Sequence, residues 1–142
     1  MKWSFTIPGQ PPSWNASYRI ARQRNGQKVF HTLVKTPRAV EYQNAARLII
    51  GASKPSRWKP TDQVRIYYRF YLTRDIDCDN ILKALNDSIE DATGINDKRF
   101  LPCVISKEVV RKPKDARVEV VLEDLRSPCV GLPSWNTIPT RS

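Results

Sequence analysis

The chain has 142 residues and 40% apolar content, which suits a single domain with one core, and it has no apolar run long enough to cross a membrane as a helix. Its 24 Lys and Arg against 14 Asp and Glu give a formal charge of +10, which points to a polyanionic partner, most often nucleic acid, and gives no reason to expect a neutral sugar substrate; the plainer reading is a basic surface that binds nothing. Cys78, Cys103 and Cys129 are an odd set without CxxC spacing, which argues against a disulfide framework and a structural zinc; together with a start, MKWSFTIPGQPP, that has no leader-like apolar core, they point to a cytoplasmic protein.

In chain order, WSFTI at residues 3–7 reads as a strand stopped by the Pro/Gly cluster PGQPP. RQRNGQKVFHTLV contains the turn pair Asn25-Gly26 between a basic run and a β-prone run, which predicts a hairpin. Thr36-Pro37 is a helix start, a cap followed by a proline in the first turn. The helix runs through RAVEYQNAARLIIGA, with Val40, Ala45, Leu48 and Ile49 as its apolar positions and Gly51 as its end.

QVRIYYRFYL, residues 63–72, alternates strictly and is the clearest strand. Val64, Ile66, Tyr68, Phe70 and Leu72 form a core face, while Arg65, Tyr67, Arg69 and Tyr71 form a second face that contacts nucleic acid or covers another element. NILKALNDSIEDATG is a helix with Ile81, Leu82, Leu85, Ile89 and Ala92 on its apolar face and Gly94 as terminator. CVISKEVVR and RVEVVLED read as two further strands, joined by KPKDA as a hairpin loop. The expected class is α+β: a small mixed or antiparallel sheet with two main helices, one domain over residues 1–124, and a poorly ordered tail at 125–142 in which Trp135 is a docking candidate.

The negative charge is concentrated. From Asp75 to Asp97 lie seven of the fourteen acids (Asp75, Asp77, Asp79, Asp87, Glu90, Asp91, Asp97) against one base, Lys83, while residues 1–40 hold no acid. Asp75, Asp77 and Asp79 alternate, so on an extended chain they project from one side of a strand end. Asp79 also falls near the N-cap of the following helix, and Asp79, Lys83 and Asp87 share a helical stripe at i, i+4, i+8. Asp97 follows the helix in a loop that returns toward the same place.

Two unit charges about 4 Å apart repel by about 4 kcal/mol at an effective dielectric near 20. Such a cluster needs solvent, protons or a cation. Oxygen ligands suit Mg²⁺ or Mn²⁺, and the single His31 argues against zinc. DIDCDNILKALN lacks the glycine at position six and the acid at position twelve of an EF-hand. The competing reading makes the acids helix caps and turn residues, and Lys83 the helix-stabilising partner of Asp79.

DCDNILKALNDSIEDATGINDKRF resembles the core motif of the RusA family of Holliday-junction resolvases: D-x-D-N-x-x-K, then an Asp on the helix, then a Gly-containing loop with Asp. FTIPGQPPSWN is similar to the family's N-terminal strand and proline-rich loop, and the resemblance spans about residues 3–124. It implies a small homodimer of bacterial or phage type that cuts four-way DNA junctions. Asp77, Asp79 and Asp97 then bind Mg²⁺, Lys83 is catalytic, and Asn80 and Asp87 support them. Two positions depart from the family. Ile76 stands where a basic residue is common, with Arg74 as a substitute, and Asn96-Asp97 stands where paired acids are common, with Asp75 as a compensating acid.

The reading is an Mg²⁺-dependent endodeoxyribonuclease, with Mn²⁺ as a substitute ion, that resolves branched DNA in recombination and repair. Arg19, Arg22, Arg24, Lys28, Lys35, Arg74, Lys98 and Arg99 would hold the DNA backbone. The alternative is a basic nucleic-acid-binding protein without catalysis.

Overall fold

The alternation in QVRIYYRFYL does what its pattern predicts: it makes the central strand of a sheet. In the computed structural model, which describes residues 2–60 and 62–125, this strand and three others form one sheet. They are β1 (Lys2–Pro8), β4 (Gln63–Leu72), β5 (Phe100–Val109) and β6 (Arg117–Leu125), ordered β1-β6-β4-β5. β4 pairs parallel with β5 and antiparallel with β6, and β1 pairs antiparallel with β6. Val64, Ile66, Tyr68, Phe70 and Leu72 are completely buried. Trp3, Phe5 and Ile7 from β1 and Val118, Val120 and Leu122 from β6 join them in one core. Across the other face the chain pairs charge with ring: Arg117 lies 3.8 Å from the centroid of Tyr71, and Tyr67 donates to Glu123 at 3.5 Å. The two-faced reading of this strand therefore holds, and the mixed sheet with its helices is a small α+β domain.

Two main helices cover the core face. α2 (Pro37–Ser53) starts where Thr36-Pro37 predicts, with the Thr36 hydroxyl accepting from the Ala39 N–H. Its buried side differs from the expected one. Ala39, Ala46 and Ile50 point inward with Tyr42 and Ile49, whereas Val40 and Leu48 are 41% and 74% exposed. Apolar residues occur all round this helix, so spacing alone does not select a face, and the sheet does. The helix also runs past Gly51 to Ser53. α3 (Cys78–Thr93) matches its sequence pattern. Ile81, Leu85 and Ile89 are fully buried, and Gly94 caps the end at φ 75° with its N–H on the Glu90 carbonyl. The Tyr68 hydroxyl donates to Asn86 Oδ1 at 2.6 Å, which fixes the rotation of α3 over β4, and an Arg47–Asp91 ion pair ties α3 to α2.

The predicted hairpin across KPKDA is corrected. β5 and β6 do not pair with each other; they take opposite edges of β4. The chain leaves β5, with the Val110 N–H on the Leu72 carbonyl at 2.7 Å, passes a 3₁₀ turn at Pro113–Asp115, and enters β6 on the far side of β4. A fully buried strand needs a partner on each edge, and a local turn signal carries no information about which strand that partner is.

The remaining strands stand apart. β2 (Tyr18–Asn25) and β3 (Lys28–Lys35) form a separate two-stranded ribbon closed by a tight turn in which Gly26 takes φ 65°, as Asn25-Gly26 predicts. The ribbon enters from a short helix, α1 (Trp14–Ser17), and leaves into α2. Thr36 closes its foot: its N–H donates to the Ser17 carbonyl at 2.8 Å and its hydroxyl to the Ala16 carbonyl at 2.6 Å. No helix among the described residues is long and apolar enough to cross a membrane. Leu125, expected to begin the tail, ends β6 and pairs with Gln63; the rest of that tail, Cys129 and Trp135 included, lies outside the described residues.

Candidate active site

β4 ends at Leu72 and α3 begins at Cys78, so the acidic motif is split between an irregular link and a helix. The three alternate aspartates therefore do not project from one strand. Asp75 lies in the link, with a side chain 73% exposed, and pairs with Lys107 of β5 at 2.7 Å. That hydrogen bond, opposed by partial desolvation and aided by the charges of Asp75, Cys78 and Asp77, raises the Lys107 pKa. Asp77 occupies the N-cap position of α3, yet its carboxylate makes no capping hydrogen bond. Asp79 sits exposed in the first turn and has no ion pair among the described residues. The capping account of these two acids thus lacks the bonds it requires. The link is anchored to the proline-rich loop by the Thr73 N–H, which donates to Gln10 Oε1 at 2.9 Å.

One turn along α3, Lys83 pairs with Asp87 at 3.2 Å rather than with Asp79. The other Asp87 oxygen accepts from the Tyr18 hydroxyl at 3.5 Å. Partial desolvation lowers the Lys83 pKa, but the hydrogen bond and charge of Asp87, with smaller effects from Tyr18 and Asp97, outweigh it and leave the pKa raised. Lys83 is therefore a cation at neutral pH, suited to stabilise negative charge and not to accept a proton. Burial, then the charge of Asp87, raises the Tyr18 pKa, so this group stays a neutral donor.

Asp97 lies beyond the far end of the same helix. Its N–H donates to Glu90 Oε2 at 3.2 Å, and Asn96 caps the 3₁₀ turn Asp97–Arg99 through the Lys98 N–H. The chain after α3 thus turns back along the helix, and the charge of Asp97 reaches Lys83 from there. Among the described residues, no group of three or more His, Cys, Asp and Glu is arranged to hold a metal ion. In donor type Asp77 and Asp79 fit a hard divalent cation; in position, Asp97 does not join them within one chain.

The basic residues fall into two groups. Arg19, Arg22, Arg24 and Lys28 stand exposed on the ribbon, and exposed Lys35 at its foot donates to Gln43 at 2.7 Å. Arg74 and Lys98 are exposed in the links at either end of α3. Arg99 is different. Its guanidinium donates to the backbone carbonyls of Pro60 at 2.7 Å and Asp62 at 2.6 Å, so it clamps the chain before β4 and is not available as a DNA contact in this geometry.

Sequence reading missed Trp14, Tyr18 and Lys107. Tyr18 reaches Asp87 across 69 positions and Lys107 reaches Asp75 across 32, separations that leave no periodic signal. Trp14 packs on Tyr18 with ring centroids 4.6 Å apart, beside the Lys83–Asp87 pair.

The family model described as endodeoxyribonuclease RusA matches residues 8–123, which takes in the ribbon, the aspartate motif, Lys83 and Asp97. No curated protein matches the chain.

Proposed function

The chain belongs to the RusA family of endodeoxyribonucleases, whose members resolve Holliday junctions and are metal-dependent in general, and from that premise we propose how this chain does it. The observation that carries the proposal is a juxtaposition. Asp77 and Asp79 stand at the start of α3, and one turn on protonated Lys83 lines a cleft with Tyr18 and Lys35 from the foot of an acid-free basic ribbon. The ribbon and the exposed Arg74 and Lys98 hold the phosphodiester backbone and neutralise its charge. Lys83 then faces the scissile phosphate and stabilises the charge that develops as a water attacks in line. Asp87 and Tyr18 hold the Lys83 ammonium in place, and Asn80, one turn before Lys83, supports the same surface. A divalent ion, Mg²⁺ or Mn²⁺, would supply an activated water and polarise the phosphate when held by Asp77 and Asp79.

Asp97 enters that ligand set only if the loop after α3 moves or a second copy brings it. The two routes separate by whether Mg²⁺ affinity depends on protein concentration. Cutting two opposed strands of a junction also calls for two active sites, which favours a homodimer acting in cytoplasmic DNA recombination and repair. Family membership displaces the alternative of a binder without catalysis.

The test is cleavage of a mobile four-way junction and of linear duplex with Mg²⁺, Mn²⁺ or EDTA. The chain should cut the junction and spare the duplex, and EDTA should stop it. Asp77→Asn should abolish cutting while binding holds or tightens, because a repulsive charge beside the phosphates is gone. Retained cutting by Asp77→Asn in Mg²⁺ would sink the assignment.

A further inference from the structure

Beside the Lys83–Asp87 pair, between α1, the foot of the ribbon, α2 and α3, lies a shallow cleft open to solvent, whose own space of about 20 Å³ holds about one water. The phosphate chemistry above uses its Lys83, Asp87, Tyr18 and Asn80 and leaves Trp14 without a role. One wall is aromatic. Trp14 is 41% exposed, a large apolar ring left in solvent, and it leans on Tyr18 at 44°. Its carrier is rigid: Ser13 caps α1 through the Ala16 N–H, the Ser17 hydroxyl donates back to the Ser13 carbonyl at 2.6 Å, and Thr36 ties Ala16 and Ser17 to the start of α2. The other wall is polar, with Lys83 and Asp87 joined at 3.2 Å, and Asn80, exposed one turn before Lys83, also lines the cleft. Lys35, on Gln43, adds a second cation.

We infer that one unstacked nucleobase next to the scissile phosphate lies across the mouth of this cleft, stacked on the exposed Trp14 ring and read along its edge by the Asn80 amide. The inference rests on the nuclease reading of Lys83. Three features support it. An aromatic face adjoining cations is the arrangement on which splayed bases stack. A carboxamide offers both donor and acceptor to a base edge. Unstacking costs least where pairing is already disturbed, and a junction opened on the protein presents such bases at its branch point. The cleft adjoins the cation proposed to meet the phosphate, so base and phosphate of one nucleotide fit the two together. A base held there makes cutting depend on sequence as well as on branching.

A double cycle tests this. Cleavage rate and junction affinity are measured for wild type and Trp14→Ala on a normal junction and on one with an abasic site at the nucleotide flanking the cut. Trp14→Ala and the abasic site should each lower both readouts roughly ten- to a hundred-fold, and together should cost no more than either alone. Trp14→Phe, which keeps a stacking ring, should restore most of the loss, and a melting curve should show Trp14→Ala folded. Asn80→Ala, at an exposed position, should level the rates among junctions that differ only at the flanking base.

Losses that multiply, or a Trp14→Ala protein equal to wild type, overturn the subsite. Normal cutting with altered sedimentation places a second copy in the cleft and overturns it too. If wild type cuts no junction, the nuclease reading of Lys83 fails, while the same cycle read on affinity still decides the subsite.

Discussion

β4 and the β2–β3 ribbon share one local pattern and have opposite fates. Both are runs of β-prone residues in which apolar side chains recur. In β4 the apolar members are completely buried under α2 and α3; in the ribbon Ile20 remains 71% exposed and Leu33 59%. The difference lies in what each meets. β4 has a strand on each edge and helices over one face, whereas the ribbon's strands pair only with each other. An isolated two-stranded ribbon adds little stability of its own. Its retention alongside five basic residues and no acid makes sense as a surface for a polyanion, held at its foot by Thr36 and by the packing of Trp14 on Tyr18. One region is built to hold the chain together and the other to hold something else.

That contrast breaks first at its strongest point. Phe70→Ala removes a fully buried ring that stacks on Tyr68 at 5.6 Å, and should cost about 3–5 kcal/mol in a denaturant titration. A loss no larger than that of a ribbon residue would remove the distinction. Next comes the site at the junction of the two regions. Lys83→Met should lower the single-turnover cleavage rate by about 10²–10³-fold with little change in junction affinity; an equal loss in both would make Lys83 a binding residue only.

The ribbon should answer in a different currency. Replacing Arg22, Arg24 and Lys28 by Ala should weaken junction binding and flatten the log–log salt dependence by up to about 0.9 for each phosphate no longer engaged, with the denaturation midpoint nearly unchanged. An unchanged salt slope would mean that the DNA lies elsewhere.

A pH experiment is subtler. The folded pKa of Lys83 is raised, so the stability its pair with Asp87 contributes is present below the ordinary lysine pKa and is lost as pH rises through the folded value. The alkaline limb of the cleavage profile should follow the same titration, and Asp87→Asn should move that limb to lower pH. The stability part is small, because the Lys83 side chain is 49% exposed and solvent screens the pair. The smallest effect belongs to Leu33→Ser, which should change stability by no more than about 0.5 kcal/mol, measured by thermal melting; a large loss would reveal a hidden partner for the ribbon.

Residues 63–72 and 78–93 were legible because their periods are local consequences of geometry: a strand alternates at two and a helix repeats near four, and burial on one face selects for that. The Thr36-Pro37 start, the Gly94 cap and the Asn25-Gly26 turn were legible for the same reason, since each is satisfied by its own neighbours. The buried face of α2 was not, because its apolar residues surround the helix and only the sheet beneath chooses among them. Nor was the partner of β5, since the turn Pro113–Asp115 suits a hairpin and a crossover equally.

The site divides along the same line. Sequence by itself determined the acidic motif, the spacing of Asp79, Lys83 and Asp87 on one stripe, the basic surplus and the family to which these belong. Tertiary structure alone decided which of those charges are spent. It turned Arg99 onto the carbonyls of Pro60 and Asp62, gave Asp75 to Lys107, gave Lys83 to Asp87, left the Asp77 carboxylate without a capping bond, and turned Asp97 back onto Glu90, where its charge reaches Lys83. It also brought Trp14 and Tyr18 to Lys83. The reason is range: a helix or turn is closed by residues a few positions apart, while a hydrogen bond or ion pair across the fold joins residues that only the packing of the sheet and its helices places side by side.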